Sequence, residues 1–407
     1  IFHDTNGDRI PATVIAQLNV MEESTLYSDA NNIFDEQDTL EGLPSWWNST
    51  YFDEIYHART AYEHLHGTAP YETSHPPLGK VGWRVMGALA GILMLPAMYL
   101  LGKQLTKKSS FAFAAALMLA LDCQHFTQTR IATIDSYPVL FILFSWLFML
   151  RFMQRDIVRL PVKKLLPDLA LSGLFMGLGI ASKWIGVYSG AGLAVAFFWT
   201  IFRHMRMAAT SAHLLKTDKS LSDEDRKILT LRDQTTMKRV LVICLWCLLF
   251  FVAIPLAIYL LAYIPYFAYA HFDNLKDYLT AVWNAQLRMF SYHSKHGLGM
   301  DHPFYSPWYE WIFNQRPMYY ASPTYVNTPG WSKAIWCVGS PAIWSAALVG
   351  FAYTVFMWAK RHRYTLRKDG ETLHWTAADW DVTMPFLLLS ALSQFLPWVL
   401  VPRGTYI

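Results

Sequence analysis

Apolar residues gather in eight runs, at 82–101, 109–126, 136–153, 166–181, 184–202, 240–265, 336–359 and 383–401. Most approach the ~20 residues that a helix needs to cross ~30 Å of hydrocarbon. The runs at 109–126 and 166–181 are the exceptions, being short or polar at one end. This pattern predicts an all-α polytopic membrane protein, a multi-span helical bundle.

The polar stretches between the runs differ in charge. Four are basic: 103–108, 151–164, 203–239 and 360–368. The positive-inside rule puts such connectors on the cytoplasmic side. Two apolar runs separate each consecutive pair, so all four can share that side. Residues 1–81, 122–135, the turn near Lys183, the stretch 266–335 and Arg403 then share the outer face. The expected location is the plasma membrane, multi-pass, with the chemistry on the extracytoplasmic side and the bilayer itself as a partner.

Five regions follow from this layout. Residues 1–40 carry a hairpin signal at Asn6-Gly7 and read as the C-terminal remnant of an extracytoplasmic β-rich domain. Residues 41–81 form a first outer loop, 82–265 a transmembrane bundle and 266–335 a large outer loop. Further spans, expected to be cut short, fill 336–407. In the large loop, Leu279, Val282, Trp283, Leu287 and Phe290 recur at helical spacing, which predicts a helix lying on the membrane surface. The aromatics after it, Trp308 to Tyr320, suit an interfacial belt or a sugar-stacking surface.

Composition narrows the class further. The 407 residues are 54% hydrophobic and only 16% charged, against about 25% charged in soluble domains. The net charge of +4 points to no nucleic acid. Four cysteines are too few for a disulfide framework, and Cys244 and Cys247 lie inside an apolar run, where packing is the expected role.

The outer segments hold the candidate chemistry. Asp53 and Glu54 are neighbours, so they point in different directions and suit one base with a helper better than a carboxylate pair across a bond. One base suffices to take a proton from an attacking hydroxyl; a solvated loop acid is the plain alternative. His75 precedes Pro76-Pro77, whose fixed φ angles stiffen the chain. Arg130 stands where one run ends and the next begins. It can clamp a phosphate with its planar fork of donors, pair with Asp135, or snorkel to the lipid surface. Lys183, between two runs, has the same choices. His293, His296 and His302 lack the spacing of a metal site, so no metal is expected.

Several of these segments together resemble the protein O-mannosyltransferase family. They are 51–59, 75–80, 127–137, Ala181-Ser182-Lys183-Trp184 and 291–316, and the likeness is strongest to bacterial phospholipid-carrier-dependent mannosyltransferases of the GT-C type. The resemblance implies a GT-C-like bundle whose extracytoplasmic loops carry the active site. It implies an inverting transfer of mannose from polyprenyl-phosphate-mannose to Ser or Thr hydroxyls of a translocating protein, with no cofactor. Asp53 matches the catalytic base. Glu54, His75, Arg130, Asp135, Lys183, His302 and Arg316 are the substrate-binding candidates, Arg130 at the donor phosphate. Three departures stand out: Val81 alone joins Lys80 to Gly82 where the family has about one more helix, a first span is missing before residue 1, and the last spans stop at Ile407.

Three other readings compete. A transferase acting on a lipid or surface glycan keeps the donor and changes the acceptor. A transporter requires ionisable residues near the middle of spans and helices broken by Gly or Pro. A scaffold gives the Asp-Glu segment no purpose.

Overall fold

A computed structural model of the chain describes residues 54, 84–267, 270–298, 300, 302–321, 334–360, 366–369, 372–375 and 382–400. Asp53, His75, the hairpin at Asn6-Gly7 and Arg403 lie outside the described residues.

The bundle opens with α1 (Val85–Thr106) and α2 (Ser109–Ala120), followed by the short α3 (Cys123–Gln128). Next come α4 (Ser136–Met153), α5 (Val162–Ser182) and α6 (Ile185–Thr217). The helix α7 (Asp223–Tyr266) is 44 residues long, ~66 Å at 1.5 Å per residue. Among the described residues, α1, α4, α5, α6 and α7 are long and apolar enough to cross a membrane, by length and composition. The loop after α7 carries α8 (Leu275–His293), α9 (Trp308–Trp311) and a strand pair, β1 (Met318–Ala321) with β2 (Ile335–Cys337). Then follow α10 (Pro341–Ala359), the hairpin β3 (Leu366–Asp369) with β4 (Thr372–Trp375), and α11 (Thr383–Phe395), which tightens into a 3₁₀ turn at Leu396–Val399.

The core lies where α4, α5, α6, α7 and α11 meet. Met149, Leu150, Phe152, Leu165, Leu169, Leu193, Ala196, Ile243 and Phe386 are buried there. The outward faces are also apolar: Phe198, Phe202, Leu245, Leu248 and Leu261 are all exposed. A soluble protein rarely leaves so much apolar surface in contact with water. Lipid is the solvent that fits it.

Three elements depart from the sequence pattern. The basic stretch 203–239 is not a loop: α6 runs through it to Thr217, and α7 starts again at Asp223. Its Lys, Arg, Leu, Met and Ala residues are good helix formers, and charge on a helix face does not break it. Ser222 caps α7 by accepting from Asp225 N, and Asp223, Glu224 and Asp225 suit the positive end of the dipole. The run 109–126 is also shorter than its apolar letters: α2 spans 12 residues and ends at Ala120. Asp122 then turns the chain by capping α3 through a bond from His125 N. The 336–359 run likewise begins as strand, with helix only from Pro341.

The turns at one end of the bundle are clamped by arginine. Asp156 accepts from buried Arg232 at 2.7 Å, and Asp168 pairs with Arg155 at 2.7 Å and Arg151 at 3.1 Å. Arg203 donates to the carbonyl of Met153, and Arg239 to those of Ile157 and Leu160. Arg203 thus satisfies a carbonyl that the end of α4 leaves open, and Arg239 two in the turn that follows.

Candidate functional site at the loop end of the bundle

The other end of the bundle, where α1, α4 and α6 begin and α5 and α7 finish, gathers a second set of polar side chains. Its base is a close approach of backbones. Gly87 and Gly91 sit one turn apart on α1, and the segment 129–131 passes directly over them. A Cβ on Gly91 would lie 2.6 Å from Thr129 Cβ, so only glycine admits this contact.

Glu54 locks the same segment from above. It is fully buried, and its carboxylate forks onto Arg84, with Nε to Oε1 and Nη2 to Oε2 both at 2.8 Å. Oε1 also accepts from Ala132 N at 2.7 Å. A bidentate guanidinium–carboxylate pair is among the strongest side-chain contacts available. It ties Glu54 to the start of α1 and to the turn before α4. The Glu54 carboxylate is thus engaged by Arg84 and by the backbone before α4.

Asp135 and Lys183 pair at 2.5 Å, both partly open to solvent. Asp135 stands just before α4, and Lys183 just after α5. Arg130 is therefore not the partner of Asp135. It is exposed, with its guanidinium 4.6 Å from the centre of the Phe126 ring. Lys183 is thus steered by a carboxylate and Arg130 by a ring face.

Gln128, at the end of α3, is the hub between these groups. Its Nε2 donates to Thr133 Oγ1 at 3.0 Å and to Asp135 Oδ2 at 3.2 Å. Its Oε1 accepts from the Tyr320 hydroxyl of β1 at 2.5 Å and from the Cys337 thiol of β2 at 3.6 Å. Burial pushes the Cys337 thiol up to about 11, which keeps it neutral and able to donate. Asp122 adds a second tie between the loops by accepting from Ser340 N at 3.1 Å.

The loop after α7 is fastened on its far side as well. Trp184 Nε1 donates to the Tyr259 hydroxyl at 2.8 Å, and Tyr259 donates to Gln286 Oε1 at 2.6 Å. Gln286 Nε2 donates in turn to the Tyr263 hydroxyl at 2.9 Å. The ring of His293, at the end of α8, lies 6.4 Å from that of Trp184. So α8, predicted as a surface helix, packs Val282, Ala285 and Met289 inward and leaves Leu275, Leu279, Trp283, Leu287 and Phe290 exposed.

His302 and Arg316 belong to the segment leading into β1. His302 Nδ1 accepts from Phe304 N at 3.2 Å. Arg316 pairs with Glu310 at 3.2 Å and donates to the Tyr305 carbonyl at 3.2 Å. Among the described residues, no three His, Cys, Asp or Glu side chains come together as a metal-ligand set.

The geometry therefore brings Glu54, Arg130, Asp135 and Lys183 to one end of the bundle. It also adds Gln128, Tyr320 and Trp184, which lie in segments the sequence marked without a role of their own, and Asp122, Tyr259 and Gln286, which it did not single out. Gln128 begins the polar segment that separates two apolar runs and lies in the 127–137 stretch that carries the resemblance, but neither signal gives it a partner.

Comparison with known proteins gives this geometry its context. The model of the dolichyl-phosphate-mannose-protein mannosyltransferase family matches residues 73–275. That of the C-terminal four TMM region of protein-O-mannosyltransferase matches 278–407. A polyprenol-phosphate-mannose–protein mannosyltransferase of Mycolicibacterium smegmatis is 24% identical over 416 residues, covering 88% of this chain and 72% of its own. The protein of that name from Mycobacterium tuberculosis is 24% identical over 407 residues, covering 85% and 73%. The yeast protein O-mannosyltransferase Pmt1-Pmt2 complex bound to the sugar donor is similar with a TM-score of 0.41 and 16% identity. That likeness covers 71% of this chain and 37% of the yeast one. On these matches, which together take in nearly everything from residue 73 onward, the chain belongs to the protein O-mannosyltransferase family.

Proposed function

We propose that this chain is an inverting glycosyltransferase that moves mannose from polyprenyl-phosphate-mannose to Ser or Thr hydroxyls of a protein, at the extracytoplasmic face of the plasma membrane. The observation that carries the reading is the family match over 73–275 and 278–407. The segregation of the bundle supports it. Cations that can meet a phosphate, Arg130 and Lys183, are at the end opposite the arginine-clamped turns. In the described stretches 85–102, 136–150, 169–182, 184–202 and 240–266 there is no Asp, Glu, Lys or Arg, which disfavours the transporter reading.

The chemistry is a single displacement. Asp53 takes the proton of the acceptor hydroxyl while its oxygen attacks the anomeric carbon and the bond to the phosphate breaks. Charge grows on the leaving phosphate, and Arg130 and Lys183 stabilise it through fixed donors in a partly dry site. Asp53 is adjacent in sequence to Glu54, which is anchored by hydrogen bonds with Arg84 and Ala132 N. His75, His302 and Arg316 complete the substrate-binding set by resemblance. The polyprenyl tail lies along the apolar outer faces of the spans. The scheme calls for no cofactor.

The test is transfer of mannose to a Ser/Thr-rich peptide in membranes, with Asp53→Asn beside the parent protein. Loss of transfer with donor binding retained is the expected result. Unchanged transfer removes Asp53 from the role of base, and absent donor binding in the parent protein removes the whole reading.

A further inference from the structure

One side chain, Gln128, joins β1 of the outer loop to the Asp135–Lys183 pair. Asp135 divides its two oxygens between partners: Oδ1 accepts from Lys183, and Oδ2 accepts from Gln128 Nε2. An ionised carboxylate only accepts, so it dictates which end of the Gln128 amide faces it. The amide oxygen is then turned the other way, toward Tyr320, whose hydroxyl has to donate. The carboxylate thus fixes which way the amide faces, and the Tyr320 hydroxyl holds the amide there by donating to its oxygen. The held amide in turn steadies Asp135 Oδ2, and Asp135 Oδ1 receives the ammonium of Lys183.

We propose that Gln128, oriented by Tyr320, is a positioning residue that places Lys183 for the phosphate of a polyprenyl-linked sugar, so that docking of β1 tunes donor affinity. This rests on the reading above, in which Lys183 faces the donor phosphate. Neither Gln128 nor Tyr320 touches the donor in this arrangement; both act through Asp135. Losing the Tyr320 hydroxyl leaves the weaker Cys337 thiol as the remaining donor to the amide oxygen.

The experiment measures binding of radiolabelled polyprenyl-phosphate-mannose to the full-length protein, which needs no turnover. Lys183→Met, Gln128→Ala, Tyr320→Phe and the double variant Gln128→Ala with Lys183→Met are compared with the parent. Loss of a charge-assisted contact predicts a fall of ~10-fold or more for Lys183→Met. Gln128→Ala should cost ~5-fold and Tyr320→Phe ~3-fold, a neutral hydrogen bond being worth less. In the Lys183→Met background, Gln128→Ala should add less than ~2-fold, because residues acting through a shared partner are not additive.

A full Gln128 effect in the double variant overturns the proposal, since the residue then acts by packing. So does parent-like binding by Gln128→Ala alone, and in that case a loss in Lys183→Met keeps the donor reading intact. Parent-like binding by Lys183→Met removes the donor role of Lys183, and the positioning role with it. If Gln128→Ala fails to fold, Tyr320→Phe lacks only one oxygen and carries the same comparison in both backgrounds.

Discussion

At Glu54 the resemblance implies a substrate contact, and the structure shows its carboxylate fully buried on Arg84 and Ala132 N. Breaking a buried ion pair by removing one partner strands the other charge. Glu54→Ala should therefore lower stability by ~3–5 kcal/mol, read as thermal unfolding in detergent. A change below about 1 kcal/mol would mean that Arg84 finds water instead. The charged candidates were legible because ionisable residues between apolar runs are conspicuous. The hub was not, since a glutamine and a tyrosine 192 positions apart carry no sign in sequence that they meet.

Helices were legible where the apolar run and the helix share their limits, as in α4 at Ser136–Met153. They were less so where polar residues continue a helix, as in α6 and α7, or where a strand of three or four residues is too short to show a period. Close helix packing also has a local signature. A Cβ on Gly173 of α5 would lie 2.1 Å from the carbonyl oxygen of Phe250 in α7. Gly173→Ala should cost ~1–3 kcal/mol by overpacking. Gly350→Ala, with nothing within 4 Å, should be neutral or gain up to ~1 kcal/mol from helix propensity. Equal melting temperatures for the two variants would show that α5 and α7 can separate without cost.

The molecule as a whole is polarised, with arginine-clamped turns at one end and the polar hub at the other. If the hub faces outward, a cysteine at Tyr309 should react with an impermeant maleimide on intact cells. One at Ser220 should react only after permeabilisation, both in a protein whose native cysteines are replaced by serine. The reverse pattern inverts the topology. The clamped end should also respond to acid. Burial works against the charged form of Asp156, but Arg232, a backbone N–H and other neighbouring groups outweigh it and hold the carboxyl below its usual range. A depressed pKa stabilises the fold fully above the unfolded value and loses that contribution as pH falls through the folded one. Melting in detergent should thus drop on acidification below the ordinary carboxylate range, and Asp156→Asn should flatten that part of the curve. The eight-run layout and the grouping of basic connectors were readable from hydropathy and charge, which act along the sequence; the clamps join distant segments and were not.

One feature of α7 sets a rule for how its length can vary. Between Leu249 and Ala253 the helix widens into a π turn, with Ile254 N reaching back to the Leu249 carbonyl. Pro255 follows directly and has no N–H to offer the fourth residue before it. A π turn holds one residue more than the α geometry around it, so it acts as slack in an otherwise fixed gear. Annealing it to plain α without shortening the chain would swing Tyr259 and Tyr263 by ~100° about the axis and uncouple them from Trp184 and Gln286. Removing one residue from 249–253 while replacing Pro255 would leave both halves in phase. Length change by a single residue is therefore tolerable at this turn and ruinous a few positions further on, between Pro255 and Tyr259.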